Sequence, residues 1–219
     1  MALPTYLSLV NRVLVRLREP TVNSLAENTL SALVAEFIND AKRQVEDSYS
    51  WNALSQTLTA TTQADVFNYV LVGSGARFKL IEIYNQTDKN FLAPQSSRQM
   101  TQNFLASDVS QTGSPHYYNF NGINADGDTQ VDLFPIPNKA YTIYFNIFLP
   151  QADLVLASET MLVPAEPVVA LALARSLVER GEDGGLASSE AYGLYKTILA
   201  DYIAIESSRH FEEETWIGT

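Results

Sequence analysis

The chain has 219 residues, 46% of them hydrophobic and 18% charged, and its 14 Lys and Arg against 25 Asp and Glu give a formal net charge of −11. This is enough apolar material for one sizeable domain or two small ones, so the chain is not a disordered one, and it is too acidic to grip phosphates with clustered Lys and Arg. With no cysteine and only two histidines, His116 and His210, disulfides, thiolate chemistry and metal sites built on Cys or several His are excluded.

No run of roughly 18 or more apolar residues occurs, so no membrane-spanning helix is expected. The opening stretch carries Arg12 and Arg16 inside its apolar run rather than before it, which reads as an amphipathic helix and not a signal peptide. Its stripe is Tyr6, Val10, Val13, Leu14 and Leu17, with Thr5 as N-cap and Glu19-Pro20 as the stop. A second helix is predicted from Ser24, where Ser24 and Glu27 have capping-box spacing. Leu30, Val34, Phe37, Ile38, Ala41 and Val45 form its apolar face and Arg43, Glu46 and Asp47 its polar one. It fades at Ser48–Trp51.

From Ser55 the texture changes to Thr and Gln, which favours strand. Further strands are predicted at Val66–Val72, Arg77–Tyr84, Asn90–Ala93, His116–Phe120, Thr129–Phe134 and Tyr141–Leu149, with a short helix over Ser97–Leu105. Tyr141, Ile143, Phe145, Ile147 and Leu149 alternate with Thr142, Tyr144, Asn146 and Phe148, the period of an antiparallel strand with one buried face. Pro135 and Pro137 suit a hairpin connection into that strand. Helix returns after Pro164, runs through an Ala- and Leu-rich stretch to Arg180, and has Gly181 as a natural C-cap. A last helix is predicted from a cap at Ser188 or Ser189, with Tyr192, Tyr195, Leu199, Tyr202 and Ile203 as its stripe.

Catalytic constellations are missing. Gly73-Ser74-Gly75 reads as a turn, with neither the nucleophile-elbow pattern nor a phosphate-loop ending. Asn124, Asp126, Asp128 and Asp132 resemble part of a calcium loop, but Gly127 falls at position four and Pro135 at twelve, where that loop needs Gly at six and Glu at twelve. A polar turn explains them. Carboxylate pairs carry no specificity in so acidic a chain, His116 reads as packed or hydrogen-bonded, and His210 as exposed. No catalytic residue, cofactor site or metal site is assigned.

The tail, His210, Phe211, Glu212, Glu213, Glu214, Thr215, Trp216, Ile217, Gly218 and Thr219, loses helical period and combines three consecutive Glu with Phe, Trp and Ile. Two readings stand. The tail folds onto its own domain or stays disordered, or it is an extended arm whose aromatic residues anchor in a partner and whose glutamates pair with a basic groove. The expected architecture is α+β: an antiparallel helical bundle formed by the N- and C-terminal helices, with an inserted antiparallel β-rich domain and an extended C-terminal arm. The divisions fall at 1–54 and 161–206 for the bundle, 55–160 for the β-rich domain and 207–219 for the arm.

Three blocks carry a family resemblance: Arg16-Leu17-Arg18-Glu19-Pro20-Thr21-Val22-Asn23-Ser24-Leu25; Val45 through Trp51-Asn52; and Leu133-Phe134-Pro135-Ile136-Pro137 followed by Tyr141–Phe145 and Leu149-Pro150. In these the chain resembles phage head-to-tail adaptors, the head-tail connectors of the tail tubular protein A or gatekeeper type. The resemblance implies a structural virion protein without enzymatic activity, assembled in the host cytoplasm. It implies a homo-oligomeric ring of about twelve copies beneath the portal protein, with a downstream tail, nozzle or neck protein below it. It also implies that the arm at 210–219 inserts between portal subunits, and that DNA passes through the channel without sequence-specific binding and with no membrane involved. Another neck or tail ring protein, for completion or termination of the tail, is the neighbouring alternative. A carbohydrate-binding β domain with Tyr117, Tyr118 and Trp51 as stacking platforms is the more distant one.

Overall fold

A computed structural model describes residues 3–105, 111–181 and 185–209. In chain order its elements are α1 (Tyr6–Arg16), α2 (Thr29–Ser48), β1 (Ser55–Thr61), β2 (Asn68–Val70), β3 (Lys79–Asn85), β4 (Asn90–Phe91), β5 (Ala93–Pro94), α3 (Ser97–Leu105), β6 (Thr112–Gly113), β7 (Tyr117–Ile123), β8 (Thr129–Phe134), β9 (Ile136–Pro137), β10 (Thr142–Phe148), α4 (Ala165–Arg180) and α5 (Leu186–Ser207). This is an α+β protein. The chain divides into two units, Met1–Leu54 with Pro150–Thr219, and Ser55–Leu149.

In the first unit α1, α2, α4 and α5 contribute to one hydrophobic core. Leu9, Val10, Val13 and Leu14 of α1 meet Val34, Ile38, Ala41 and Val45 of α2 and Val168, Val169, Leu171 and Ala172 of α4. Burying each of the larger side chains contributes about 1.5–3 kcal/mol before ordering costs. Thr5 caps α1 by accepting from the Ser8 N–H, as its position predicts. The helix ends before Glu19-Pro20, with Arg18 at φ 61°. The start of α2 is four to five residues later than the sequence suggests. Asn28 and Ser31 form the reciprocal capping box, while Glu27 accepts from the N–H groups of Asn23 and Ser24 and closes only the turn before it. Asn is as strong an N-cap as Ser, and here Asn28, not Ser24, opens the helix.

Glu46 is not on a solvated face. Its side chain and that of Lys42 are fully buried, and their ion pair (3.1 Å) holds the backbone of Gln151. The Lys42 ammonium donates to the Gln151 carbonyl (2.6 Å) and the Gln151 N–H donates to Glu46 Oε1 (3.2 Å). Asn39 does the same for Leu154, donating to its carbonyl (3.0 Å) and accepting from its N–H (2.9 Å). Thr5 bridges Thr160, and the Tyr6 N–H donates to the Glu159 carbonyl. Residues 150–160, expected in the β-rich region, therefore belong with the helices: α1 and α2 supply the partners their backbone needs.

The second unit holds two four-stranded sheets, β1-β10-β3-β4 and β2-β8-β7-β5, and a parallel pair β6-β9. β10 alternates as predicted: Tyr141, Ile143, Phe145 and Ile147 are buried, their neighbours half-buried. It pairs antiparallel with β1 on one side and β3 on the other. These residues share a cluster with Ile83, Tyr118, Val131 and Leu133. The expected hairpin between Thr129–Phe134 and Tyr141–Leu149 does not form. β8 and β10 lie in different sheets, and Ile136–Pro137 pairs with Thr112–Gly113 while the chain crosses between them. Gly73 (φ 82°) and Gly75 (φ 58°) bend the loop after β2, and both N–H groups donate to Asp128 Oδ1 at 3.1 and 3.0 Å. Ser74 between them is fully buried and accepts from the Thr129 N–H.

Candidate interaction surface

α5 starts at Gly185, in the left-handed region at φ 97°, and not at a serine cap. The hydroxyls of Ser188 and Ser189 instead donate back to the Gly185 carbonyl. Glycine is suited to that conformation because it lacks a Cβ. From there Tyr195 is buried, and Ile198, Leu199, Tyr202 and Ile203 pack half-buried on the helical core. Tyr192, placed in the same stripe by the sequence, is 41% exposed and lies under the Lys196 ammonium at 4.9 Å. Burial, with Tyr192 close by, raises the Tyr195 pKa above the ordinary tyrosine value.

The last turn of α5 is fastened by Glu206, which is 8% exposed. Its Oε1 accepts from the Asn52 N–H at 2.8 Å, and its Oε2 takes the Arg209 guanidinium at 3.2 Å. The helix reaches Ser207, one residue into the segment assigned to the arm. The tail residues themselves, His210, Phe211, Glu212, Glu213, Glu214, Thr215, Trp216, Ile217, Gly218 and Thr219, lie outside the described residues. What the fold defines is the point from which they leave: Arg209, on a turn tied to the core through Asn52.

Beside that turn lies a groove of about 630 Å³. Leu3, Leu162, Pro164 and Tyr202 provide apolar wall, and Arg12 and Arg209 stand among the lining residues. Arg12 and Arg16 both pair with the Glu166 carboxylate, the Arg16 contact at 3.3 Å. These side chains are all more than a third exposed, so the pairs add little to stability and chiefly set local charge.

Large apolar side chains also stand uncovered on several elements of the first unit: Val15 of α1, Val178 of α4, and Leu194 and Ile205 of α5 are 56–66% exposed. In the second unit Phe91 is 63% exposed and packs on Tyr84 at 5.0 Å. The stacking-platform alternative loses two of its three aromatics. Trp51 is 2% exposed, with its indole N–H donating to the Val45 carbonyl at 2.7 Å, and Tyr118 is 8% exposed within the β core. Their rings are packing, and only Tyr117 presents a surface. His116 is exposed, with its Nδ1 3.0 Å from Asn90 Nδ2. Among the described residues no cluster of three or more His, Cys, Asp or Glu is placed to hold a metal ion, and no helix is long and apolar enough to cross a membrane.

Composition and spacing pointed to α5 and the tail, but not to Glu206, Lys42 or Asn39. Each of these acts on backbone more than 100 residues away in sequence, and no local pattern marks such a role. Comparison with curated proteins finds no match. The family comparison does: the SU10 adaptor protein family matches over residues 4–213. That match spans both units and the turn from which the tail departs. The chain belongs to the SU10 adaptor protein family, a phage head-to-tail adaptor family, and is a phage structural adaptor and virion component.

Proposed function

We propose that this protein forms a ring beneath the portal, joins the capsid to the tail and surrounds part of the path by which DNA leaves. The observation that carries the reading is the family match across residues 4–213. In this reading about twelve copies assemble, the helices of the first unit form an antiparallel bundle that packs against neighbouring copies, and a tail, nozzle or neck protein binds below. Residues 210–219 act as the portal-binding arm: Phe211, Trp216 and Ile217 bury against portal subunits, and Glu212, Glu213 and Glu214 meet basic groups there. The uncovered apolar side chains of α1, α4 and α5 support extensive protein contacts. The net charge of −11 suits a channel wall that repels phosphates, an effect screened beyond about 8 Å at physiological salt.

Deleting residues 210–219 tests the arm. The truncated protein is expected to keep its helical signal and unfolding midpoint and to lose portal capture in a pull-down. Unchanged capture would rule the arm out. Labelling the protein in intact particles tests the position. Label at the neck supports the adaptor ring, and label at the distal tail tip excludes it.

A further inference from the structure

We infer that the groove beside the end of α5 is a docking site for the chain's own acidic-aromatic segment, residues 211–217, in the protein that has not yet met its partner. The inference rests on the reading of 210–219 as an arm and adds where that arm is held before use.

Three observations carry it. The first is shape: at about 630 Å³ the groove lies in the roughly 300–1,000 Å³ range of pockets that enclose organic groups, and Leu3, Leu162, Pro164 and Tyr202 give it apolar wall. Leu3 remains 50% exposed. The second is charge. Among the lining residues two guanidiniums, Arg12 and Arg209, offset two carboxylates, Glu166 and Glu206, so the wall is neutral, and Arg16, outside the lining, adds its charge to the Glu166 pair. A neutral wall in a chain of net charge −11 is a relatively tolerant place for the segment's three consecutive glutamates. The third is reach. Arg209 both lines the groove and immediately precedes the segment. At ~3.3–3.6 Å per extended residue, Phe211 reaches about 7 Å and Trp216 about 24 Å from it. An occupant supplied by the same chain also avoids the translational cost that a separate partner pays.

A segment held in its own groove cannot simultaneously insert elsewhere. Apparent affinity for the partner falls by the fraction of arms left free, so a groove that holds about nine in ten lowers it tenfold. The device would keep arms from sticking to other copies until a partner with a deeper site displaces them.

The absence of cysteine gives a clean test in the full-length protein. Ala53→Cys, on the groove wall, is combined in turn with Glu213→Cys, Thr215→Cys or Ile217→Cys and oxidised mildly. The expected result is an intramolecular disulfide in at least one pair, seen as a faster monomer band without reductant. Adding Leu3→Asp, at the half-exposed lip, should abolish it. Acrylamide quenching, taken as the difference from Trp216→Phe, should show Trp216 shielded in the parent and several-fold more accessible in Leu3→Asp. Leu3→Asp should also bind portal up to tenfold more tightly. No disulfide in any pair with Trp216 freely quenched overturns the inference, as does a disulfide that links two copies. The arm reading fails separately: if deletion of 210–219 leaves portal capture unchanged while the disulfide forms, the groove site stands and the arm's partner role falls.

Discussion

Replacing Glu206 by Ala tests whether the exit turn of α5 is held by the core or merely rests there. The substitution removes two interactions. The bond from the Asn52 N–H to Glu206 Oε1, at 2.8 Å and partly buried, is a hydrogen bond to a charged acceptor, a class worth about 1.5–3 kcal/mol. The contact with Arg209, whose side chain is 63% exposed, is worth at most about 1 kcal/mol after solvent screening. The expected loss is about 2–4 kcal/mol, with most of it from the backbone bond. Arg209→Ala, which removes only the screened contact, should cost within about 0.5–1 kcal/mol. Urea unfolding followed by Trp51 fluorescence in a Trp216→Phe background measures both, because Trp51 is buried immediately before the anchored Asn52. Amide exchange adds a local readout: residues 202–208 should exchange faster in Glu206→Ala and at parental rate in Arg209→Ala. If the two substitutions cost the same, or if exchange in the last turn is unchanged by loss of the carboxylate, the anchoring argument is wrong.

Other substitutions probe the remaining polar ties. Lys42→Met removes the cation from a fully buried pair and should cost about 3–5 kcal/mol, whereas Lys42→Met with Glu46→Leu should cost less than the single change; midpoints in urea decide. Asn39→Leu keeps the branched outline but takes away both partners of Leu154's backbone, for a loss of about 2–4 kcal/mol in the same assay. Tyr6 is pushed up to about 12, by burial first and then by Glu36, Asp153 and Glu159. The folded state thus holds this proton more tightly than the unfolded chain does. Its contribution is full below pH 10 and is lost as pH rises from 10 towards 12. Unfolding midpoints across that window should fall less steeply in Tyr6→Phe, even though that variant starts lower through loss of the hydroxyl's bond to the Ala35 carbonyl.

Local chemistry was legible where the answer lay within a turn or two. Thr5 caps the first helix, Gly181 (φ 62°) ends α4, and the alternation through Tyr141–Phe148 fixed which face of β10 is buried. Periodicity tells which face is buried and not what it pairs with. The same alternation therefore left β8 and β10 looking like a hairpin, when each finds its neighbours elsewhere in the chain. The polar face of α2 shows the limit most clearly. Seen on its own helix, Glu46 belongs with Arg43 and Asp47; only the return of Gln151, 105 residues on, turns it inward. The tail stood out because it breaks helical period with a composition no helix stripe uses. The groove beside it could not be read in sequence, since its wall is gathered from residues near 3, 12, 53, 163 and 202.

The buried glutamates share a placement that bears on how an adaptor works. The chain leaves the helical unit after Leu54 and re-enters it at Pro150. Asn52, just before the first crossing, gives its N–H to Glu206; Gln151, just after the second, gives its N–H to Glu46 and its carbonyl to Lys42. Each covalent link to the β unit is thus pinned, within two residues of where it meets the helices, by a carboxylate shielded from solvent. Exposed pairs such as Arg43 with Asp40 and Asp153 are weakened by salt, whereas the fully buried Lys42–Glu46 pair is screened far less. Under the proposed adaptor role, strain arriving through either link would meet the helical core at a fixed backbone position.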